Sequence, residues 1–168
     1  MFGVLIPTRR ERSDLFLSHA KRMLEMQTLQ PDLVYIVNGS SDKKIDLCQR
    51  YKKGFELLFS KGCEAVVCWE DDDWYSPQYL EIMMNLWNKN KRPEIFGLNY
   101  SVYYHLLIQR YKYIRHEGRS SMFNTLISAN ADLRLQDPQW QSEMLFLDLY
   151  LWQRLKGKSI EYKQIITR

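Results

Sequence analysis

Three short apolar runs, each followed by a polar turn, constrain the fold of this chain more than any other feature of its sequence. They occupy residues 2–6, 33–37 and 65–69. Between them, apolar residues recur at helical spacing over residues 16–24 and 48–59. Alternating strands and helices of this length predict an α/β fold with a mainly parallel sheet, in which ligands collect at the carboxyl ends of the strands.

The second half of the chain is less regular. Residues 95–105 and 108–114 predict a β-hairpin, residues 122–129 another strand, and residues 144–155 an apolar, largely buried helix. A chain of 168 residues with 45% apolar side chains can bury one core but is too short for two ordinary domains. We therefore expect a single domain over residues 1–168.

An unbroken acidic run follows the third apolar segment. Its members are Glu70, Asp71, Asp72 and Asp73. Adjacent carboxylates repel one another unless a cation or a basic partner compensates them. Carboxylate oxygens completed by substrate phosphates are what Mg²⁺ or Mn²⁺ accepts in phosphate-handling enzymes. The run predicts a divalent metal held against a diphosphate; the alternative is a solvated acidic turn at the N-terminus of the next helix.

This acidic strand end, continued by Trp74, Tyr75, Ser76 and Pro77, resembles the DXD region of the family 2 GT-A glycosyltransferases. Glu70 stands where the family has its first aspartate. The resemblance implies a compact version of the GT-A fold, which is Rossmann-like, and a nucleoside-diphosphate sugar as donor. It also implies Mn²⁺ or Mg²⁺ bound by Asp71, Asp72 and Asp73.

Other positions match the family's donor-binding elements. A Pro-Thr pair followed by two arginines ends the first strand, and Asn38 stands where the family's aspartate recognises the base. Arg50 and Lys53 lie where the family has a basic element before its DXD strand. The alternatives are surface charges for the basic residues and a plain β-turn after Asn38. The donor-binding residues that the resemblance implies are Pro7, Thr8, Arg9, Arg10, Asn38, Arg50, Lys53, Asp71 and Asp72.

A single carboxylate interrupts the predicted late helix. Asp148 is the only charged residue between Glu143 and Arg154, and residues 147–155 resemble the family segment that carries the catalytic base. The resemblance implies that Asp148 deprotonates the acceptor hydroxyl in an inverting reaction. The alternative is a carboxylate paired with an arginine for structure. Neither His105 nor His116 is assigned as a metal ligand.

Charge and composition limit the partners only loosely. The formal charge of +4 fits an anionic small ligand. We expect a glycan as acceptor, with modified nucleic acid as the alternative, because residues 110–119 are basic and rich in tyrosine and the short C-terminal part leaves the acceptor side open. The cysteines form no CxxC pair and the N-terminus is no signal peptide or membrane span, so we expect a soluble cytoplasmic protein.

Two other functions remain open from the sequence. A metal-dependent nucleotidyl- or phosphotransferase could use the same acidic run without sugar transfer. A non-catalytic module that only binds a nucleotide sugar is the third possibility.

Overall fold

The computed structural model describes residues 1–9, 13–39, 46–105, 108–141 and 146–162. Within these ranges no helix has the length and apolar character needed to cross a bilayer. Short 3₁₀ turns occur at Met122–Asn124 and Pro138–Gln141. In chain order the strands and helices are β1 (Phe2–Arg9), α1 (Ser13–Glu25), β2 (Leu33–Gly39), α2 (Leu47–Ser60), β3 (Ala65–Cys68), α3 (Tyr79–Lys89), β4 (Ile95–Leu98), β5 (Tyr100–His105), β6 (Arg110–Arg115), β7 (Thr125–Ser128), α4 (Leu147–Arg154) and β8 (Gly157–Ile160).

The central sheet has six strands in the order β2-β1-β3-β7-β4-β8. Strand β1 pairs in parallel with both β2 and β3, and β4 pairs in parallel with β8. Strand β7 lies between β3 and β4 and is antiparallel to both. The predicted α/β class with a mainly parallel sheet is confirmed. Strands β5 and β6 form a separate two-stranded ribbon.

Helices cover both faces of this sheet. Val4 and Ile6 of β1 belong to the core that α1 and α3 cover, whereas Leu5 belongs to the core under α2. A strand buried on both faces reads as a continuous apolar run, which is why β1 was visible in the sequence. Helix α2 lies directly on β1, because a Cβ added to Gly54 would lie 2.1 Å from Leu5 Cδ1.

One edge of the sheet gathers the polar turns. Strands β1, β2 and β3 run in the same direction, so their last residues, Arg9, Gly39 and Cys68, end at this edge. Because β7 is antiparallel, it starts at the same edge, where Val67 pairs with Leu126. The 3₁₀ turn before β7 is thereby brought beside the acidic run.

The second half departs from the sequence expectations. The predicted strand over residues 95–105 divides at Asn99, whose N–H donates to Ile160 of the edge strand β8. Strand β8 was not predicted, because Gly157–Ile160 is half exposed and has no apolar alternation. The prediction of a largely buried late helix was wrong: within Leu147–Arg154 only Leu147 and Leu151 are buried. The start predicted at residue 144 lies outside the described residues.

Candidate functional site

Three carboxylates that follow β3 converge on one centre. Glu70, Asp72 and Asp73 each offer an oxygen, and these oxygens lie within 4.8 Å of one another among the described residues. The buried rings of Trp69 and Tyr75 stack beside the turn with centroids 3.7 Å apart. The Glu70 N–H donates a hydrogen bond of 2.9 Å to the Tyr75 hydroxyl. The aromatic pair thus holds both ends of the turn that carries the three carboxylates. We call Glu70, Asp72 and Asp73 the acidic trio.

Helix α1 also supports the acidic trio. His19 Nε2 donates a hydrogen bond of 3.0 Å to the backbone carbonyl of Asp73. This contact requires a proton on His19 Nε2, because a carbonyl oxygen only accepts. This role could not be predicted from the sequence, since a lone histidine on a helix carries no positional signal.

Burial and mutual repulsion favour the protonated form of two members of the trio. Burial, followed by the negative charge of Asp72, raises the pKa of Glu70 to about 7. Burial, followed by the negative charge of Glu70, raises the pKa of Asp73 to about 8. Asp73 Oδ2 is buried and has no hydrogen-bond partner within the described part of the chain. An oxygen-only donor set with an unsatisfied buried carboxylate oxygen fits a hard divalent cation.

Asp71 is not part of the acidic trio. Its Oδ2 accepts a hydrogen bond of 2.5 Å from Thr8 Oγ1, and both residues are buried. Asp71 therefore links the turn after β3 to the end of β1. The resemblance implied Asp71, Asp72 and Asp73 as metal ligands, whereas the structure groups Glu70 with Asp72 and Asp73. The longer glutamate side chain reaches the centre from the first position of the run.

A cavity of about 180 Å³, which we call the first cavity, opens between the ends of β1 and β3. Helix α2 closes it from the side. Many of its lining residues are donor-binding candidates from the sequence. The lining consists of Pro7, Thr8, Arg9, Leu47, Arg50, Glu70, Asp71 and Asp72.

Arg50 connects α2 to the wall of the first cavity. Its Nε donates to Asp46 Oδ1 at 2.9 Å, and its Nη1 donates to the carbonyl oxygen of Thr8 at 3.1 Å. Gly39 is needed for this approach, because a Cβ there would lie 2.6 Å from Asp46 Oδ2. Gly39 is thus the last residue of β2 and lies against the Arg50 side chain.

Two other donor-binding candidates, Asn38 and Lys53, do not line the first cavity. Asn38 is exposed on β2 and pairs in register with Thr8. Lys53 is exposed on α2 and lines neither this cavity nor the one on the other side of the acidic trio. Arg10 lies outside the described residues, as do residues 40–45 of the predicted turn.

A second cavity, of about 230 Å³, lies on the other side of the acidic trio. It shares Leu47 and Glu70 with the first cavity, so Glu70 belongs to the partition between them. The structure brings Asp148 to this cavity from the start of α4. The lining consists of Leu47, Glu70, Asp73, Tyr103, Ser121, Met122, Phe123, Leu147 and Asp148.

Asp148 is held by Arg119, which the sequence placed only in the basic stretch over residues 110–119. Arg119 Nη1 donates to Asp148 Oδ2 at 2.5 Å, and the two side chains are 27% and 16% exposed. The arginine precedes β7, whereas the aspartate lies in the first turn of α4. No local pattern could reveal this pair, because only the fold brings the two segments together.

Hydroxyl groups form another feature of the second cavity that the sequence did not reveal. Ser121 Oγ lies 2.9 Å from His116 Nε2 and 3.4 Å from the Tyr103 hydroxyl. Burial, followed by the positive charge of Arg119, lowers the pKa of His116, which favours its neutral form. In this structure His116 is a partner of Ser121. The cavity therefore offers hydroxyls beside the Asp148 carboxylate.

Two solved structures of S. aureus TarS, a glycosyltransferase, have a similar fold. One, a structure of residues 1–349 in complex with UDP, gives a TM-score of 0.62 at 10% identity and covers 99% of this chain and 59% of that chain. The other gives a TM-score of 0.59 at 11% identity and covers 99% of this chain and 36% of that one. No family model and no curated protein matches the sequence. The chain thus has a glycosyltransferase-like fold and spans only part of the length of both TarS structures.

Proposed function

We propose that this protein transfers a sugar from a nucleoside-diphosphate sugar to an acceptor hydroxyl in a metal-dependent reaction. One observation carries the proposal: the acidic trio lies between two cavities, and Asp148 lines the cavity on the far side. Such an arrangement offers separate places for a donor and an acceptor. The glycosyltransferase-like fold supports the proposal, and one of the similar structures holds UDP.

The first cavity is the proposed donor site. Arg9 and Arg50 line it, and a guanidinium group can form paired hydrogen bonds with phosphate oxygens. Glu70, Asp72 and Asp73 would hold Mn²⁺ or Mg²⁺, which would supply Lewis-acid stabilisation of the charge on the departing nucleoside diphosphate.

The second cavity is the proposed acceptor site, with Asp148 as the general base. Asp148 takes the proton of the acceptor hydroxyl while that oxygen attacks the anomeric carbon of the sugar. The bond from this carbon to the diphosphate oxygen breaks, and the diphosphate leaves with the electron pair. Because Arg119 holds Asp148 Oδ2, we assign Oδ1 as the oxygen that takes the proton. Attack from the side opposite the leaving group inverts the anomeric configuration.

The proposal is tested by finding the donor and then separating binding from turnover. Nucleotide sugars are screened for Mn²⁺-dependent thermal stabilisation, since a ligand that binds only the folded state raises the melting temperature. With the donor found, Asp148→Asn should keep the stabilisation and lose release of nucleoside diphosphate. Asp132→Asn is the matched control, because Asp132 is exposed and paired with Arg134. If no nucleotide sugar stabilises the protein with Mn²⁺, the proposal is wrong.

A metal-dependent nucleotidyl- or phosphotransferase is the second candidate. The ion pair between Asp148 and Arg119 is what a purely structural carboxylate would form. If Asp148 is structural, the acidic trio can act without a general base in the second cavity, as this candidate requires. This candidate predicts that Asp148→Asn keeps turnover while Asp72→Ala loses it. A non-catalytic binding module predicts donor binding with no release of nucleoside diphosphate from the unaltered protein.

A further inference from the structure

The ribbon formed by β5 and β6 lies beside the second cavity. Its strands pair from Tyr100 opposite Arg115 to His105 opposite Arg110. Tyr103 joins the ribbon to the cavity, because it lines that cavity and its ring meets Phe123 edge-on at 6.3 Å. A polymer held along the ribbon therefore lies next to the proposed acceptor site.

One face of the ribbon carries a row of tyrosines. Tyr100 stacks on Tyr113 with centroids 5.5 Å apart, and Tyr113 meets Tyr111 edge-on at 5.2 Å. Tyr111 is 61% exposed and Tyr113 is 46% exposed. Rings this exposed contribute little to the core of the fold. They instead present flat apolar surfaces on which other rings can stack.

The opposite face of the ribbon is basic near the cavity. Lys112 pairs in register with Tyr103, and Arg110 lies two residues further along the same face. Both are exposed. The sequence has no Asp or Glu between Tyr100 and His116 to offset these charges. A ligand that reaches the second cavity along this face meets positive charge first.

Tyr111 and Tyr113 alternate along β6 with Arg110 and Lys112, so the rings and the charges lie on the two sides of the same outer edge of the two-stranded ribbon. We propose that a single strand of nucleic acid binds along this edge of the ribbon Tyr100–Arg115, with its bases on the tyrosine side and its phosphates on the basic side, and that the ribbon leads one of its nucleotides to the second cavity. Positive side chains suit a phosphate backbone, and exposed rings suit unpaired bases, whose flat faces stack on aromatic side chains. A neutral glycan would use the rings but not the charges. An inorganic polyanion would use the charges but not the rings. That the strand is the acceptor of the sugar rests on the proposed function, whereas the binding itself does not.

Fluorescence anisotropy with a labelled oligothymidylate measures this binding in the absence of donor and metal. Tyr111→Ala should weaken binding roughly fivefold to a hundredfold, and Tyr111→Phe should retain it, because stacking needs the ring and not the hydroxyl. Lys112→Ala should reduce the slope of log affinity against log salt by about 0.7. Lys61→Ala is the matched control, because Lys61 is exposed at the far end of α2 and should leave the slope unchanged.

Two results would overturn the proposal. One is an oligothymidylate affinity that Tyr111→Ala leaves unchanged while inorganic polyphosphate competes equally well, since the surface would then recognise charge alone. The other is no measurable binding at low salt. Binding by the unaltered protein separates this proposal from the proposed function, because the strand should bind without donor or metal even if sugar transfer is never found.

Discussion

The two cavities beside the acidic trio are built in different ways. The first cavity is lined by residues at the ends of β1 and β3 and in the first turn of α2. The two strand ends lie at one edge of the sheet because β1 and β3 are neighbours and parallel. The second is lined by Tyr103 of the ribbon, residues just before β7 and the start of α4. Strand ends can be located in a sequence. Residues that distant segments bring together cannot, because no local pattern records their pairing.

The chemistry of the two cavities differs as well. Arginines and carboxylates line the first cavity, which suits a diphosphate with its cation. The second cavity places Asp148 among hydroxyls and the apolar side chains of Met122 and Phe123. Arginines beside the carboxylates therefore distinguish the proposed donor side, whereas carboxylates lie beside hydroxyls and apolar side chains on the proposed acceptor side. Changes on each side should have separable effects.

The largest expected effect is on the acidic trio itself. Asp72→Ala should reduce turnover on the order of a thousandfold and abolish the Mn²⁺-dependent rise in melting temperature, because the cation supplies several kcal/mol of charge stabilisation. Initial rates and thermal shifts with and without Mn²⁺ measure this. Glu81→Ala is the control, since Glu81 is exposed on α3 away from the trio. Equal loss in both variants would contradict the assignment.

Asp148 tests whether the second cavity is catalytic. Asp148→Asn should lower kcat about a hundredfold to ten-thousandfold, the usual contribution of a general base, with donor affinity unchanged. Turnover and titration of the donor on one preparation separate the two effects. If donor affinity falls in step with kcat, the two cavities are not the independent sites described above.

The pH dependence of stability tests the half-buried acids Glu70 and Asp73. Glu70 and Asp73 have pKa values of about 7 and 8 in the folded chain against ordinary values of 4.5 and 3.8. The folded chain therefore keeps protons that the unfolded chain releases, so metal-free stability is greatest at low pH and falls as pH rises through these values. We expect a loss on the order of a few kcal/mol from about pH 5 to about pH 8 in urea unfolding.

Two additions sharpen this pH experiment. Glu70→Gln should flatten the decline, because it removes one titrating group and the charge that raises the pKa of Asp73. Mn²⁺ should stabilise the protein more at high pH, since the cation competes with protons for the same oxygens. Metal-free stability that rises over this range would show that these acids ionise freely in the folded protein.

A smaller effect is expected at the link between the strand ends. Thr8→Val keeps the side-chain volume but leaves the buried Asp71 without the Thr8 hydroxyl, which should cost about 1 to 3 kcal/mol of unfolding free energy. Thr28→Val is the control, because the Thr28 hydroxyl bonds to the exposed Glu81 and should matter little. Urea midpoints compare the variants. Equal losses would show that the link has no special role.

The smallest effect is expected for Lys53. Lys53→Ala should leave affinity for the donor found in the screen unchanged, because Lys53 is exposed on α2 and lines neither cavity. Isothermal titration calorimetry on the variant and on the unaltered protein compares the two affinities. A loss of affinity would return Lys53 to the donor site that the sequence resemblance implied.

The regular part of the fold was predictable for a physical reason. Strands β1 and β3 are buried on both faces, so each is a continuous apolar run whose end shows where its polar turn begins. Strand β8 was missed because an edge strand needs no apolar run. The division at Asn99 was missed with it, because the Asn99 N–H donates to Ile160 of that strand. The direction of β7 was also invisible, since a short buried strand reads the same for either pairing.

By itself the sequence determined the α/β class, the acidic run at a strand end and the candidate Asp148. The tertiary structure decided which oxygens of the run converge: it turned Asp71 toward Thr8 and brought Glu70 into the trio. It also paired Arg119 with Asp148 and set the two cavities on opposite sides of the trio. Apolar periodicity is encoded locally, whereas the direction of a side chain in a turn and the meeting of distant segments depend on packing of the whole chain.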